Sequence, residues 1–307
     1  MRYAINLLWT NYKHIKLLKM KFKLILLSTA LLFTAIGCKK ETIEKIVYVN
    51  NTPVATPAET GTVELIVEPT LDGVPYTMGT EFTTPAGEKL TVTDLRFLLS
   101  SIGLAKENSQ ENKSITYPGD LAQSNVYLVD LKTPNFDNGH GLNSCKIRFK
   151  GVVGEYADIR FKMDVPNEYN LADATTNPYP LDAATGMYWS WNSGYKFLVV
   201  NGTSASLTGF NGVHLSIGAD KSCVFNFRSL ILAPSLPKII VEKDKVTQIR
   251  FTYNLMQMLR NTNGTKYSLL PNPDGSSNSQ VHGGANANVL RGNIQQALEL
   301  NKFFNPQ

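Results

Sequence analysis

The sequence predicts an all-β protein: a single antiparallel β-sandwich with long loops and a short C-terminal helix. Three observations carry that expectation. From about Val63 onward, short runs alternate apolar and polar residues with period two, as a strand with one buried face does. Turns rich in glycine, asparagine and proline separate the runs. Helical spacing is almost confined to the C-terminal stretch.

The elements follow in order. VELIVEP puts Val63, Leu65 and Val67 on one face and Glu64, Ile66 and Glu68 on the other. KLTVTDLRFLLSSIGLA, SNVYLVDL, KIRFKG and ADIRFKMDV read as the next strands. YKFLVVNG, VHLSIGA, CVFNFRSLIL, KIIVEK and TQIRFTYN complete the set. LDG, FDNGHG, GEY, NGT and PDGSSN supply the turns. NLMQMLRN predicts one helical turn. RGNIQQALELNKFF, with Ile294, Ala297, Leu298 and Phe304 at near-helical spacing, predicts the one good helix. These strands fit one domain over residues 62–307, with no fixed-period repeat.

Before that body lies a processing signal. Lys19, Lys21 and Lys23 form a charged flank, and LILLSTALLFTAI from Leu24 to Ile36 is an apolar core too short to span a bilayer comfortably. It ends in AIGC, with Cys38 where a lipobox cysteine stands. The expectation is a lipoprotein signal over residues 1–37, cleavage before Cys38, and lipidation of Cys38. Residues 1–19 read as an upstream extension, with Met20 as an alternative start. Residues 38–61 are polar and lack periodicity, so they read as a flexible tether. The expected location is an outer membrane, held through the lipid anchor and facing the periplasm or the surface.

Processing removes the apparent basic character. The chain has 30 Lys and Arg against 25 Asp and Glu. Six of the 30, and none of the acids, lie in residues 1–37, which leaves 24 against 25. Such a near-neutral body gives no support for a nucleic-acid partner. Two cysteines remain after Cys38. In an oxidising compartment Cys145 and Cys223 are expected to form a disulfide.

Between ADIRFKMDV and YKFLVVNG runs VPNEYNLADATTNPYPLDAATGMYWSWNSG, too long to be a simple connection and so expected to be functional or ordered by its own packing. Two of the chain's three tryptophans, Trp189 and Trp191, stand at its end among Tyr188, Tyr195 and Phe197. Asp164, Asp173 and Asp182 lack the dense oxygen spacing of a calcium loop and are expected to be solvated or to cap turns.

The common catalytic signatures are missing: no GxSxG, HExxH, P-loop or CxxC occurs. No activated nucleophile or acid–base pair is visible, so the chain reads as a non-enzyme. Three histidines belong to the body: His140, His214 and His282. On a strand, His214 shares a face with Ser216 and Gly218, opposite Val213, Leu215 and Ile217. His140 and His282 fall in turns and are expected to be exposed.

GMYWSWNSGYKF resembles the signature of the MbnP-like family, found beside methanobactin operons and in Bacteroidetes lipoproteins. VELIVEPTLDGVPY, GTEFTTPAGEKLTVTDLRFLLSSIGL, VYLVD, EYADIRFKMDVPNEYN, VHLSIG and the closing LNKFF resemble family segments in the same order, over roughly residues 62–305. The resemblance implies an exported protein that binds copper in metal acquisition or handling. It implies a tryptophan oxidised to kynurenine by a diheme, MauG-like cytochrome peroxidase, joined by histidine at a Cu(I) site. Carried onto this chain, the modified residue is Trp189 or Trp191 and the histidine is His214. The second histidine stays open between His140 and His282. Kynurenine presents an amine and a ketone where indole has no lone pair to offer, and imidazole suits copper. A second reading makes Trp189, Trp191 and Tyr195 a stacking platform for glycans in a surface adhesion lipoprotein.

Overall fold

The computed structural model describes residues 58–106, 125–132, 144–189, 194–218, 222–228 and 238–305. Cys38, His140 and Trp191, and with them the lipidation and two of the candidate ligands, lie outside the described residues.

In chain order the strands begin with β1 (Thr60–Leu71), β2 (Val74–Pro75), β3 (Glu81–Thr83), β4 (Lys89–Ala105) and β5 (Val126–Lys132). Next come β6 (Cys145–Val152), β7 (Gly154–Tyr156), β8 (Asp158–Met163), β9 (Lys196–Thr203) and β10 (Gly212–Gly218). The last five are β11 (Cys223–Arg228), β12 (Ile239–Val241), β13 (Val246–Asn254), β14 (Gln280–Val281) and β15 (Leu298–Phe304). Helices are few: α1 (Asn167–Asn170), a 3-10 turn (Ala183–Thr185), α2 (Leu255–Met258) and α3 (Gly284–Ala297).

The fold is all-β, as expected. One sheet runs β15-β13-β1-β2, with β6 also on β1; the other runs β11-β8-β4-β9-β10-β14, with β3 and β5 on β4. The sheets meet through aromatic side chains. Phe97 of β4 stacks on Tyr253 of β13 at 5.6 Å between ring centroids. Phe161 of β8 meets Phe251 of β13 edge-on at 5.5 Å. Val63, Leu65 and Val67 lie in this core, while Glu64, on the opposite face, is buried under Arg148 and Gln248.

Most pairings are antiparallel, but β1–β13 and β10–β14 run parallel. A parallel pair needs a long crossover. Most of the second sheet intervenes between β1 and β13, which provides one.

The C-terminal helix is present but displaced. It starts at Gly284 and buries Ala287, Leu290, Ile294 and Ala297, spaced three or four residues apart on one face. It ends at Ala297, and LELNKFF becomes β15 on the edge of β13. Leu298 and Leu300 alternate toward the core there, so period two prevails over the helical spacing once a strand edge is available. The helical turn expected in NLMQMLRN is α2, capped by the Asn254 carboxamide on Met256 and Gln257 N–H.

The disulfide expected between Cys145 and Cys223 is not formed. Cys145 opens β6 in the first sheet, where its Sγ accepts the Asp130 N–H; Cys223 opens β11 in the second, with its Sγ donating to the Arg291 carbonyl. Burial raises the Cys145 thiol to about 11 and the Cys223 thiol to about 12.

Candidate metal centre

The site begins with a register. Across four adjacent strands, Asp94 of β4 faces Asn201 of β9, Asn201 faces His214 of β10, and His214 faces Gln280 of β14. Directly opposed residues share a sheet face, so a polar row crosses the sheet on the side away from Leu95, Val200, Leu215 and Val281. A register shift between Val92 and Asp94 aligns β4 with that row. His214 thus points away from the aliphatic core, as its strand pattern predicts.

His282 follows β14 by one residue. Its loop is held by amides: Asn278 donates to the Leu270 carbonyl at 2.9 Å, and Asn286 donates to Asn278 Oδ1 at 2.9 Å. The His214 N–H donates to the Ser279 carbonyl at 2.7 Å, and Ser216 Oγ donates to the Val281 carbonyl at 2.9 Å. His282 is exposed, as expected, yet its ring lies 4.8 Å from that of His214, tilted by 33°.

The long loop brings the tryptophan. It folds on itself: Asp182 caps the 3-10 turn, Asp173 accepts from Thr175, and the Asn170 carboxamide accepts the Tyr195 N–H at 2.9 Å. Tyr188 and Tyr195 pair as a bridge with rings 5.2 Å apart, and the Trp189 N–H reaches the Gly194 carbonyl at 3.0 Å. Gly194 has φ +70°, and a Cβ there would stand 2.4 Å from Asn170 Oδ1, so only glycine fits. Gly194 thus lets the end of the aromatic stretch press against the loop at Asn170. Trp189, half-buried, lies 5.7 Å from the His282 ring, with Lys196 Nζ 5.9 Å from its ring centroid.

Of the five residues expected to hold metal, the structure therefore gathers His214, His282 and Trp189. The expected neighbour of the tryptophan was His214; the ring against Trp189 is His282, which itself lies on His214. Tyr195 does not join an exposed platform: it is fully buried, with its hydroxyl on the Leu181 carbonyl and the Asn177 amide.

Sequence reasoning missed the polar groups under the histidines. Asn201 Oδ1 contacts His214 Nδ1 closely, and its Nδ2 donates to Asp94 Oδ2 at 2.9 Å. Arg96 grips both Asp94 oxygens at 2.6 Å and reaches the Thr185 carbonyl in the tryptophan loop. The signal was present in DLRF, where Asp94 and Arg96 alternate out of the core. Asn201 was masked because NG reads as a turn.

Burial, then His282 and Lys196, push His214 down to about 4, so the imidazole is neutral near pH 7 with a lone pair to give. Burial and then Arg96 lower Lys196. A metal–nitrogen bond of about 2 Å to each of two imidazoles allows ring centroids up to roughly 6 Å apart. The His pair satisfies that limit. Among the described residues no three of His, Cys, Asp and Glu gather as a metal cluster.

A family model described as MbnP matches residues 60–278. The chain belongs to the MbnP family. This MbnP-family chain is similar to the solved structure of MbnP from Methylosinus trichosporium, at 13% identity and a TM-score of 0.43, over 66% of this chain and 78% of that one. Comparison with curated proteins gives no match. The matched MbnP region contains Trp189 and His214 and stops before His282.

Proposed function

We propose that this MbnP-family protein is an exported lipoprotein that binds copper through His214, His282 and an oxidised Trp189, in metal acquisition or handling rather than catalysis. One observation carries the reading: two imidazoles and a tryptophan, from three distant parts of the chain, converge at one place on an MbnP-family sandwich. The donor set suits the ion. Imidazole is a good copper ligand, and a third donor beside the two histidines would complete a three-coordinate site. Indole has no lone pair for that task; its kynurenine product has an amine and a ketone. A diheme cytochrome peroxidase is the proposed oxidant, and the half-buried Trp189 leaves an edge for electrons to reach it. Lipid at Cys38 holds the body at an outer membrane.

The test uses protein purified from its native host. Intact-mass and metal analysis should find the tryptophan-to-kynurenine mass change at residue 189 and copper bound in the same molecules. An unmodified chain without copper from copper-replete cells refutes the reading.

A further inference from the structure

Which nitrogen of His214 meets an ion is decided by groups that lie beneath it. Asp94 is gripped by Arg96 through both oxygens, as an ionised carboxylate is, and an ionised carboxylate only accepts hydrogen bonds. The Asn201 atom facing Asp94 must therefore be the donating Nδ2. That leaves Oδ1 toward His214, and an amide oxygen also only accepts. The proton in this contact has to sit on the imidazole Nδ1. A neutral imidazole with Nδ1–H has its lone pair on Nε2.

We propose that Asn201 is a positioning residue: oriented by Asp94 and Arg96, it holds His214 in the Nδ1–H tautomer and makes Nε2 the nitrogen that ligates metal. The second half rests on the copper reading above; the tautomer itself does not. The chain of contacts has a further effect. Arg96 also bonds the Thr185 carbonyl, so the acceptor that orients Asn201 is tied to the loop that carries Trp189. Histidine and tryptophan are thereby set by one buried polar network. Partners that receive the second imidazole N–H commonly fix ligand orientation and basicity in metal sites.

The test reads the imidazole nitrogens directly. In the full chain, labelled with 15N-histidine in its native host so that Trp189 can be oxidised, long-range 1H–15N spectra near pH 7.5 should show His214 protonated at Nδ1 and bare at Nε2, with the assignment made by loss of the signals in His214→Gln. Protonation at Nε2 instead overturns the proposal. Asn201→Leu should release the lock and give a tautomer mixture; Asp94→Asn, which lets the Asn201 amide turn over, should do so as well. An unchanged Nδ1–H tautomer in a folded variant overturns the role of Asn201. The wild-type spectrum decides the tautomer even where a variant fails to fold. Added copper(I) alone should shift Nε2 and spare the Nδ1–H signal, and Asn201→Leu should weaken copper(I) binding by about 10- to 100-fold. A copper shift at Nδ1 overturns the ligation half. Copper that shifts neither nitrogen overturns the copper reading and the ligation half with it, while the tautomer lock stands on the metal-free spectrum.

Discussion

The His214 and His282 ring centroids lie 4.8 Å apart, although one residue sits within strand β10 and the other in a loop entering α3. The two also differ in burial, because His214 is half-covered and His282 is exposed. Substituting His282 should therefore separate binding from folding. His282→Ala is expected to leave unfolding free energy within about 0.5 kcal/mol of the parent, as exposed positions do, while reducing copper(I) affinity sharply. Urea unfolding and competition with a copper(I) chelator measure the two. Retained affinity in a folded variant removes His282 from the site.

The low His214 value gives stability a pH dependence of definite sign. Its folded value is about 4 against an ordinary 6.5, so between those limits the unfolded chain binds a proton that the folded chain excludes. Stability then rises with pH across this window. The contribution is complete above about pH 6.5 and is lost as pH falls toward 4. Urea midpoints measured from pH 7.5 to 4 should fall less steeply in His214→Gln than in the parent. Parallel curves would show that burial does not depress this imidazole.

The strands were legible where one buried face imposes period two, as in β13 and the first half of β10, while β1, β4 and β9 were legible as short apolar runs buried on both faces. Their partners were not legible. The parallel register of β1 on β13 depends on a neighbour far along the chain, and β15 took strand form only because β13 offered an edge. At the candidate site, His214 was singled out by its motif, and Trp189 was one of two tryptophans left open by theirs. His282 was one of two open candidates, since nothing local in VHGG says that β14 will lie beside β10. Asn201 was invisible for a different reason: its role exists only through the cross-strand opposition to Asp94 and His214.

The tryptophan hairpin depends on a glycine. Gly194→Ala places a Cβ against Asn170 Oδ1 and backbone oxygen at 2.4–2.5 Å, at φ +70°. The combined strain and lost Tyr195–Asn170 bond should cost about 1–3 kcal/mol. Tryptophan fluorescence should shift toward the solvated value before global unfolding in urea. A variant with parental stability and emission would show that the loop yields there without cost.

Cys145 and Cys223 should behave as inert thiols. Both are buried, and burial holds them at about 11 and about 12 respectively, so little thiolate exists at pH 8. Peptide mapping after iodoacetamide should find both unmodified in the folded protein and fully alkylated in guanidinium, without any reductant. Alkylation in guanidinium that requires a reductant would mean a disulfide after all.

The Asp94–Arg96 pair should matter for folding and for the site in separable ways. Both side chains are about nine-tenths covered, at 10% and 9% exposure. Asp94→Ala would strand the Arg96 guanidinium and leave Asn201 Nδ2 without its acceptor, at a cost of about 3–5 kcal/mol. Replacing both partners by apolar residues removes the stranded charge. Asp94→Leu with Arg96→Met should therefore recover much of that loss, since buried ion pairs are often matched by hydrophobic replacements. Copper affinity should not recover with it, because Asn201 has lost the carboxylate that fixes its amide and the loop has lost its tie at Thr185. Urea unfolding beside copper(I) competition on the two variants tests both halves. If the double variant regains affinity together with stability, the polar row serves the fold alone; if Asp94→Ala loses less than about 1 kcal/mol, the pair is not the buried anchor inferred from its contacts.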